Sequence, residues 1–318
     1  MASTTYYGLI KYKKKEVLYA VLFESEDNNL SLSFQGSWGG SSIIVEYSFD
    51  NITWITRTEG SITSSNGKIY LRGTGITALP SITLTSLDTV KISGQLACLF
   101  DWQTVKNGGT ITMAQYACKN LFKDNVVISD ASELVFPNIG GYGTYESMFA
   151  NCTGLISAPQ ILPNEMGYAT CLDMFNSCTN LINPPELPAT TLGTGCYQNM
   201  FSWCTELKKC PKLPATDLAQ QCYSSMFYRC TNLEQLPALP ATLMDYARCY
   251  ERMFYFCSKI KISETQTGEY TNAYRIPKTG TGVTVGSSLE GMFQLTGGTF
   301  KGTPTVNTTY YTSNTIVE

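Results

Sequence analysis

A Met-Phe dipeptide recurs through the middle of this chain at a nearly constant interval. Five copies lie between Met148 and Met253, 26 or 27 residues apart, and a sixth follows at Met292. A cysteine follows each of the first five copies, and an aliphatic residue comes three positions later. Such a period is typical of stacked repeats, each of which buries its apolar face against its neighbours. The predicted core ladder consists of Met148, Phe149, Cys152, Met174, Phe175, Cys178, Met200, Phe201, Cys204, Met226, Phe227, Cys230, Met253, Phe254 and Cys257.

The local pattern within one repeat predicts a short helix. In "CYQNMFSWC", at 100° per residue, Cys196, Tyr197, Met200, Phe201 and Cys204 share an arc of about 140°. The segment that follows is too short for a helix and reads as a short strand ending near the next proline. We therefore predict a solenoid with one short helix and one short strand per coil, with coils roughly 4.8 Å apart.

The twelve cysteines are interpreted as packing residues. They contain no C-x-x-C pair, so the usual zinc-site spacing is absent. Free cysteine is among the most buried residue types and packs as a small hydrophobe. We expect the thiols to be reduced and mostly buried, without redox or metal function. Cys210 lies off the periodic positions and is the cysteine we most expect to be exposed.

The repeat units resemble a known family. "MFANCTGLISAP", "MFNSCTNLINPPELPATTL" and "MFYRCTNLEQLPALPATL" are similar to BspA-type leucine-rich repeats, as found in gut Bacteroidetes and in their crAss-like phages. The resemblance extends from about Leu71 to the end of the chain. It implies a surface-displayed binding or structural scaffold, with no enzyme activity and no cofactor. The 39-residue last step and the weak "FPNIGGYGTYESMF" unit depart from the pattern.

The segments that flank the array have a different composition. Residues 1–75 contain β-branched and aromatic runs separated by turn residues, which predicts a small antiparallel β-domain. We place the repeat solenoid at residues 76–262. Residues 263–318 are predicted to form the last coil and a β-rich cap, since the open end of a repeat array needs covering. The predicted fold class is α+β.

Composition excludes several classes of function. The chain has no histidine, which removes the commonest general base and metal ligand. Its net charge is −3, and the basic segment "KYKKKE" is offset by neighbouring acids, so we expect no nucleic-acid binding. No stretch approaches the roughly 20 apolar residues of a membrane span. The N-terminal Met and the absence of an export signal suggest a complete chain made in a cytoplasm.

A candidate binding surface lies beside the core positions of three repeats. Its residues are Trp203, Tyr228, Arg229, Tyr255 and Phe256. Aromatic residues beside an arginine are enriched at interface cores, and aromatic ring faces also suit sugar stacking. Packing between coils or self-association explains the same residues equally well. The acidic residues Glu24, Glu26 and Asp27 are interpreted as a solvated turn.

Two functional hypotheses follow. The first is a virion surface protein of a phage, a head or tail fibre or decoration protein, which contacts the host surface or other virion components. It would dock through its N-terminal region and assemble as a homo-oligomer, with a trimer suggested by resemblance to phage fibres. Its ligand would be a host-surface glycan or protein. The alternative is a leucine-rich-repeat adhesin on a bacterial cell surface, which would need an export route.

Overall fold

The computed structural model describes residues 17–160 and 162–318. The basic "KYKKKE" segment lies outside these ranges. Within them strands predominate and there is a single α-helix, so the fold is β-rich. The elements are β1 (Val21–Ser25), β2 (Ser31–Gln35), β3 (Gly39–Ser48), β4 (Ile55–Thr56), β5 (Ile62–Thr63), β6 (Lys68–Ala78), β7 (Ser81–Thr85), β8 (Val90–Gln95), α1 (Cys98–Lys106), β9 (Ile128–Val135), β10 (Gln235–Pro237), β11 (Leu243–Met244), β12 (Ile262–Ser263), β13 (Asn272–Arg275), β14 (Val283–Thr284), β15 (Thr309–Thr312) and β16 (Thr315–Val317).

Two sheets form the N-terminal part. Six strands pair in the order β4-β3-β6-β1-β8-β9, antiparallel except for the parallel pair β8–β9. Three further strands pair antiparallel in the order β5-β2-β7. Buried residues alternate along the first half of β6, as the period of a half-buried strand requires. Residue 75, predicted as the end of this region, lies inside β6, and the six-stranded sheet continues to Val135.

These sheets cover the first repeat, residues 116–124. The amides of Leu79 and Ile82 donate to the carbonyl oxygens of Ala117 and Leu121 at 2.8 and 2.7 Å. Asn125 is buried next to them, and its side chain accepts from the Leu84 amide and donates to the Ile82 and Phe122 carbonyls. The backbone carbonyls at this end of the stack therefore find partners in β7 and in the short connection between β6 and β7.

The repeats do not form the short helices that the sequence predicts. The amide of Met148 donates to Tyr145 within the same repeat at 3.2 Å, while the amide of Phe149 donates to Met174 in the next repeat at 2.9 Å. This alternation recurs in the later repeats. Every fourth residue has a left-handed backbone, as at Ser147 (φ 53°) and Asn151 (φ 61°). Each segment is thus a ribbon of successive turns with a four-residue period. Over nine residues, this ribbon buries the same positions that a helix would bury.

All fifteen residues of the predicted core ladder are fully buried. The phenylalanine rings stack parallel from repeat to repeat, with centroids 5.6–5.8 Å apart from Phe149 to Phe254. Tyr197, Tyr223 and Tyr250 form a second buried stack. All twelve cysteines are free and buried. Cys210, the cysteine predicted to have the best chance of exposure, is the most exposed of the twelve, but at 6 % it is also buried.

The C-terminal segment folds back over the end of the stack. Phe293 in the last repeat lies on Phe254 at 5.8 Å and is covered by Tyr274 and Phe300. Strands β12, β15 and β13 form an antiparallel sheet, and β16 pairs parallel with β10. The final residues therefore return to a repeat about 80 positions earlier in the chain.

Candidate binding surface

The five predicted surface residues come together on adjacent repeats. Trp203, Arg229 and Phe256 occupy the same position of three successive repeats, and Tyr228 and Tyr255 precede the last two. Trp203 is 44 % exposed, and the other four side chains are half-buried. The amide of Trp203 donates to Tyr228, and that of Arg229 donates to Tyr255, both at 2.8 Å. These bonds fix the register that places the side chains in a row.

The guanidinium group of Arg229 lies between two aromatic rings. Its central carbon is 4.4 Å from the ring centroid of Trp203 and 4.3 Å from that of Phe256. Both distances are well within the range of a cation–π contact. We call Trp203, Arg229 and Phe256 the arginine stack. Beside it, the Tyr228 and Tyr255 rings stack at 5.4 Å with an angle of 11° between their planes.

The backbone of the arginine stack is strained. Trp203, Arg229 and Phe256 have φ values of 64°, 61° and 62°. The same position in earlier repeats is held by Asp124, Asn151 and Ser177. Asp and Asn adopt the left-handed conformation with little strain, whereas other residues lose roughly 1–2 kcal/mol. A left-handed backbone recurs at every fourth residue of the other repeats as well, so it reflects the turn ribbon and does not by itself mark a functional site.

A second row of exposed aromatic residues was missed by the sequence analysis. Tyr116, Tyr142 and Tyr168 are 37, 40 and 47 % exposed. The rings of Tyr142 and Tyr168 stack at 4.3 Å, and Tyr116 meets Tyr142 edge-on at 5.3 Å. A hydrogen bond with the Tyr116 hydroxyl is the main cause that raises the pKa of Tyr142. The signal was present in the sequence, since these tyrosines are spaced by exactly one 26-residue repeat.

The acidic turn near the N-terminus has a structural role. Asp27 accepts from the amides of Leu87 and Asn29 at 2.6 and 3.0 Å, which lowers its pKa. Glu24 forms an exposed ion pair with Lys68 at 2.7 Å. In the part of the chain that the structure describes, no three His, Cys, Asp or Glu side chains are placed to hold a metal ion. In the same ranges, no helix is long and apolar enough to cross a bilayer.

A groove of about 600 Å³ lies away from the arginine stack. It runs between residues 183–188 and 209–214, and its walls include Pro184, Pro185 and Pro211. Proline has no amide hydrogen, so these two segments cannot pair as regularly as the turn ribbons do. Lys209 and Lys212 line its rim, and none of the five surface residues contributes to it.

Comparison with protein-family models, curated proteins and solved structures found no match for this chain. The functional proposal therefore rests on the geometry of the repeats and of the arginine stack.

Proposed function

We propose that this protein is a non-enzymatic surface protein of a phage virion, a head or tail fibre or decoration protein. In this proposal the repeats are a BspA-type leucine-rich-repeat solenoid that presents a binding face to the host surface or to other virion components. The arginine stack is the observation that carries the proposal. It combines aromatic rings and a stacked cation on one exposed face.

The chemistry of the interior supports a scaffold rather than an enzyme. All twelve cysteines are buried, and burial raises the pKa of thiols such as Cys152 and Cys196 to about 12. A thiol with such a pKa is protonated at neutral pH and is a poor nucleophile. Cys249 differs from these thiols, because a hydrogen bond with Cys222 lowers its pKa, but it is also buried. The chain lacks histidine, so no imidazole is available for general-base chemistry.

We further propose that the N-terminal sheets dock the protein onto a larger assembly. Strand β4 has two residues and pairs with Glu46 and Tyr47 only, which leaves the other half of β3 at the edge of the sheet. Ile44 in that half is 45 % exposed. An open strand edge can pair with a strand from another chain. We also propose that the protein forms a homo-oligomer, and its resemblance to phage fibres suggests a trimer.

Two variants separate docking from host binding. Ile44→Lys places a charge on the open edge, and we expect it to reduce incorporation into particles while host-cell binding by the purified protein persists. The double variant Trp203→Ala/Phe256→Ala should keep its incorporation into particles and lose host-cell binding. Mass spectrometry of purified particles measures incorporation, and sedimentation with host cells measures binding. If the protein is instead found in the bacterial envelope and not in particles, the virion proposal is wrong and the adhesin alternative stands.

A further inference from the structure

Arg229 is a stacked cation that forms no ion pair with any residue the structure describes. Its Nε is 3.5 Å from the Tyr228 hydroxyl oxygen, and no acceptor in residues 17–160 or 162–318 contacts its terminal nitrogens. None of the ion pairs formed within those ranges includes Arg229. A guanidinium group that lies between two rings forms hydrogen bonds through the N–H groups at its edge, and this planar fork matches a carboxylate.

A second stacked arginine in the same protein shows the completed arrangement. The guanidinium carbon of Arg72 lies 3.6 Å from the Trp54 ring centroid and 3.7 Å from that of Trp102. The carboxylate of Glu46 receives the Nε of Arg72 at 2.8 Å and the indole N–H of Trp102 at 3.1 Å. A carboxylate thus binds the edge of the stack and the indole together. At Arg229 the guanidinium and the indole of Trp203 are present, and the carboxylate is supplied by none of the residues described.

The surroundings of the arginine stack favour an anion. Arg252 is exposed, lies 5.9 Å from the Tyr255 ring centroid and forms no ion pair with any described residue. Arg248, in contrast, is paired with Glu251 at 3.7 Å. Arg229 and Arg252 thus each lie beside one ring of the tyrosine pair, and neither forms an ion pair with a described residue, which favours a negatively charged ligand.

The aromatic surface favours a saccharide as the bearer of that anion. One face of the Trp203 indole is covered by Arg229, and the residue at the same position one repeat earlier is the small Ser177. This leaves an indole that is 44 % exposed for the apolar face of a sugar ring. Three repeats span roughly 10 Å at the spacing of neighbouring strands. That length suits one or two sugar rings. A standard protein interface covers roughly 800 Å² per partner, which corresponds to a patch about 28 Å across.

We propose that the arginine stack binds the carboxylate of an acidic saccharide, with Arg229 contacting the carboxylate and Trp203 the sugar ring. This inference rests on the proposed host-binding function and names its ligand class. It adds a specific role for Arg229 that packing between repeats does not require.

Equilibrium binding of the full chain to immobilised saccharides tests the proposal. The carboxylated probes are sialyllactose and a hyaluronan hexasaccharide. Their neutral counterparts are lactose and the carboxyl-reduced hexasaccharide. We expect at least tenfold tighter binding of one carboxylated probe than of its neutral counterpart. Equal binding of the two members of both pairs, or binding of neither pair, would overturn the proposal, as would equally tight binding of poly-glutamate.

Variants of Arg229 assign the effect to this residue. Arg229→Gln should remove the preference for the carboxylated probe, with at least a tenfold loss of affinity. Arg229→Lys keeps the charge but not the planar fork, and we expect an intermediate loss. Lys212→Gln removes one positive charge at the proline groove and should change affinity less than twofold. Thermal melting checks that the variants fold. If Arg229→Gln does not fold, the affinity of Arg229→Lys for the carboxylated probe decides the result.

Host-cell binding distinguishes failure of this inference from failure of the proposed function. If the wild-type protein binds host cells and Arg229→Gln binds equally well, the acidic-saccharide inference is wrong while the surface-binding function stands. If the wild-type protein neither binds host cells nor occurs in particles, the proposed function itself is wrong.

Discussion

The thiol of Cys204 donates a hydrogen bond to the carbonyl oxygen of Phe175, 3.1 Å away in the preceding repeat. The same bond links Cys178 to Phe149, Cys230 to Phe201 and Cys257 to Phe227 at 2.9–3.1 Å. The cysteine that recurs after the first five Met-Phe pairs therefore serves as a small apolar residue that also links neighbouring repeats. This explains why cysteine, rather than alanine, occupies a fully buried position.

The buried thiols predict a loss of stability in alkali. Burial raises the pKa of Cys152 and Cys196 from the ordinary value of 9.0 to about 12. Below pH 9 both states hold the proton, so stability is unaffected. Above pH 9 the unfolded state releases protons first, and each such thiol reduces stability by about 1.4 kcal/mol per pH unit. Melting temperatures should be flat from pH 6 to 8 and fall steeply above pH 9. A flat profile up to pH 11 would contradict the burial.

Removal of one stacked ring should destabilise the whole array. Phe201 is fully buried between Phe175 and Phe227, with centroid distances of 5.8 and 5.6 Å. Phe201→Ala leaves a large cavity, and we expect a loss of about 3–5 kcal/mol in the free energy of unfolding. Denaturant titration measures the loss. Lys208→Ala, an exposed change in the same repeat, should stay within about 0.5 kcal/mol. A loss below about 1 kcal/mol for Phe201→Ala would be inconsistent with the stack.

Substitutions at two adjacent glutamines can distinguish the turn ribbon from a helix. Gln221 has φ 57°, whereas Gln220 has no left-handed backbone and is exposed. A β-branched residue is strongly disfavoured in the left-handed region, so Gln221→Val should cost at least about 1–2 kcal/mol. Gln220→Val should stay within about 0.5 kcal/mol, and Gln221→Gly should be tolerated. Denaturant titration compares the three variants. Equal costs for both valine variants would argue for a uniform helical backbone.

One buried asparagine holds the returning C-terminal segment. The side-chain amide of Asn314 donates to the carbonyls of Glu234 and Lys259 at 3.1 and 3.0 Å, and its oxygen accepts from the Lys261 amide at 2.7 Å. Asn314→Ala leaves buried groups unpaired, and we expect a loss of about 2–4 kcal/mol. Amide exchange of Lys261 should accelerate at the same time. Ser313→Ala, next in the chain, should leave both quantities nearly unchanged.

The spacing of apolar residues along the chain was sufficient to predict which positions are buried in the repeats. The inward positions are apolar in every copy, so their spacing alone identifies the core ladder from Met148 to Cys257 and the burial of its thiols. The same spacing located Trp203, Arg229 and Phe256 at one position of successive repeats. A periodic array repeats the same environment, so its inward and outward positions can be assigned without knowledge of the backbone.

The backbone conformation and the contacts between repeats depend on long-range hydrogen bonds that the local pattern does not reveal. Half of the amides in each ribbon donate to a repeat about 26 residues away, as Phe149 does to Met174, so a helical wheel of one segment cannot reveal them. The N-terminal sheet extends to Val135 through pairings of the same long-range kind, since β8 pairs with β1 and β9 pairs with β8. The position of Arg229 between two rings depends on the register that these long-range hydrogen bonds impose. Nonlocal pairing is specified by the whole fold, whereas burial is recorded in the local pattern of residues.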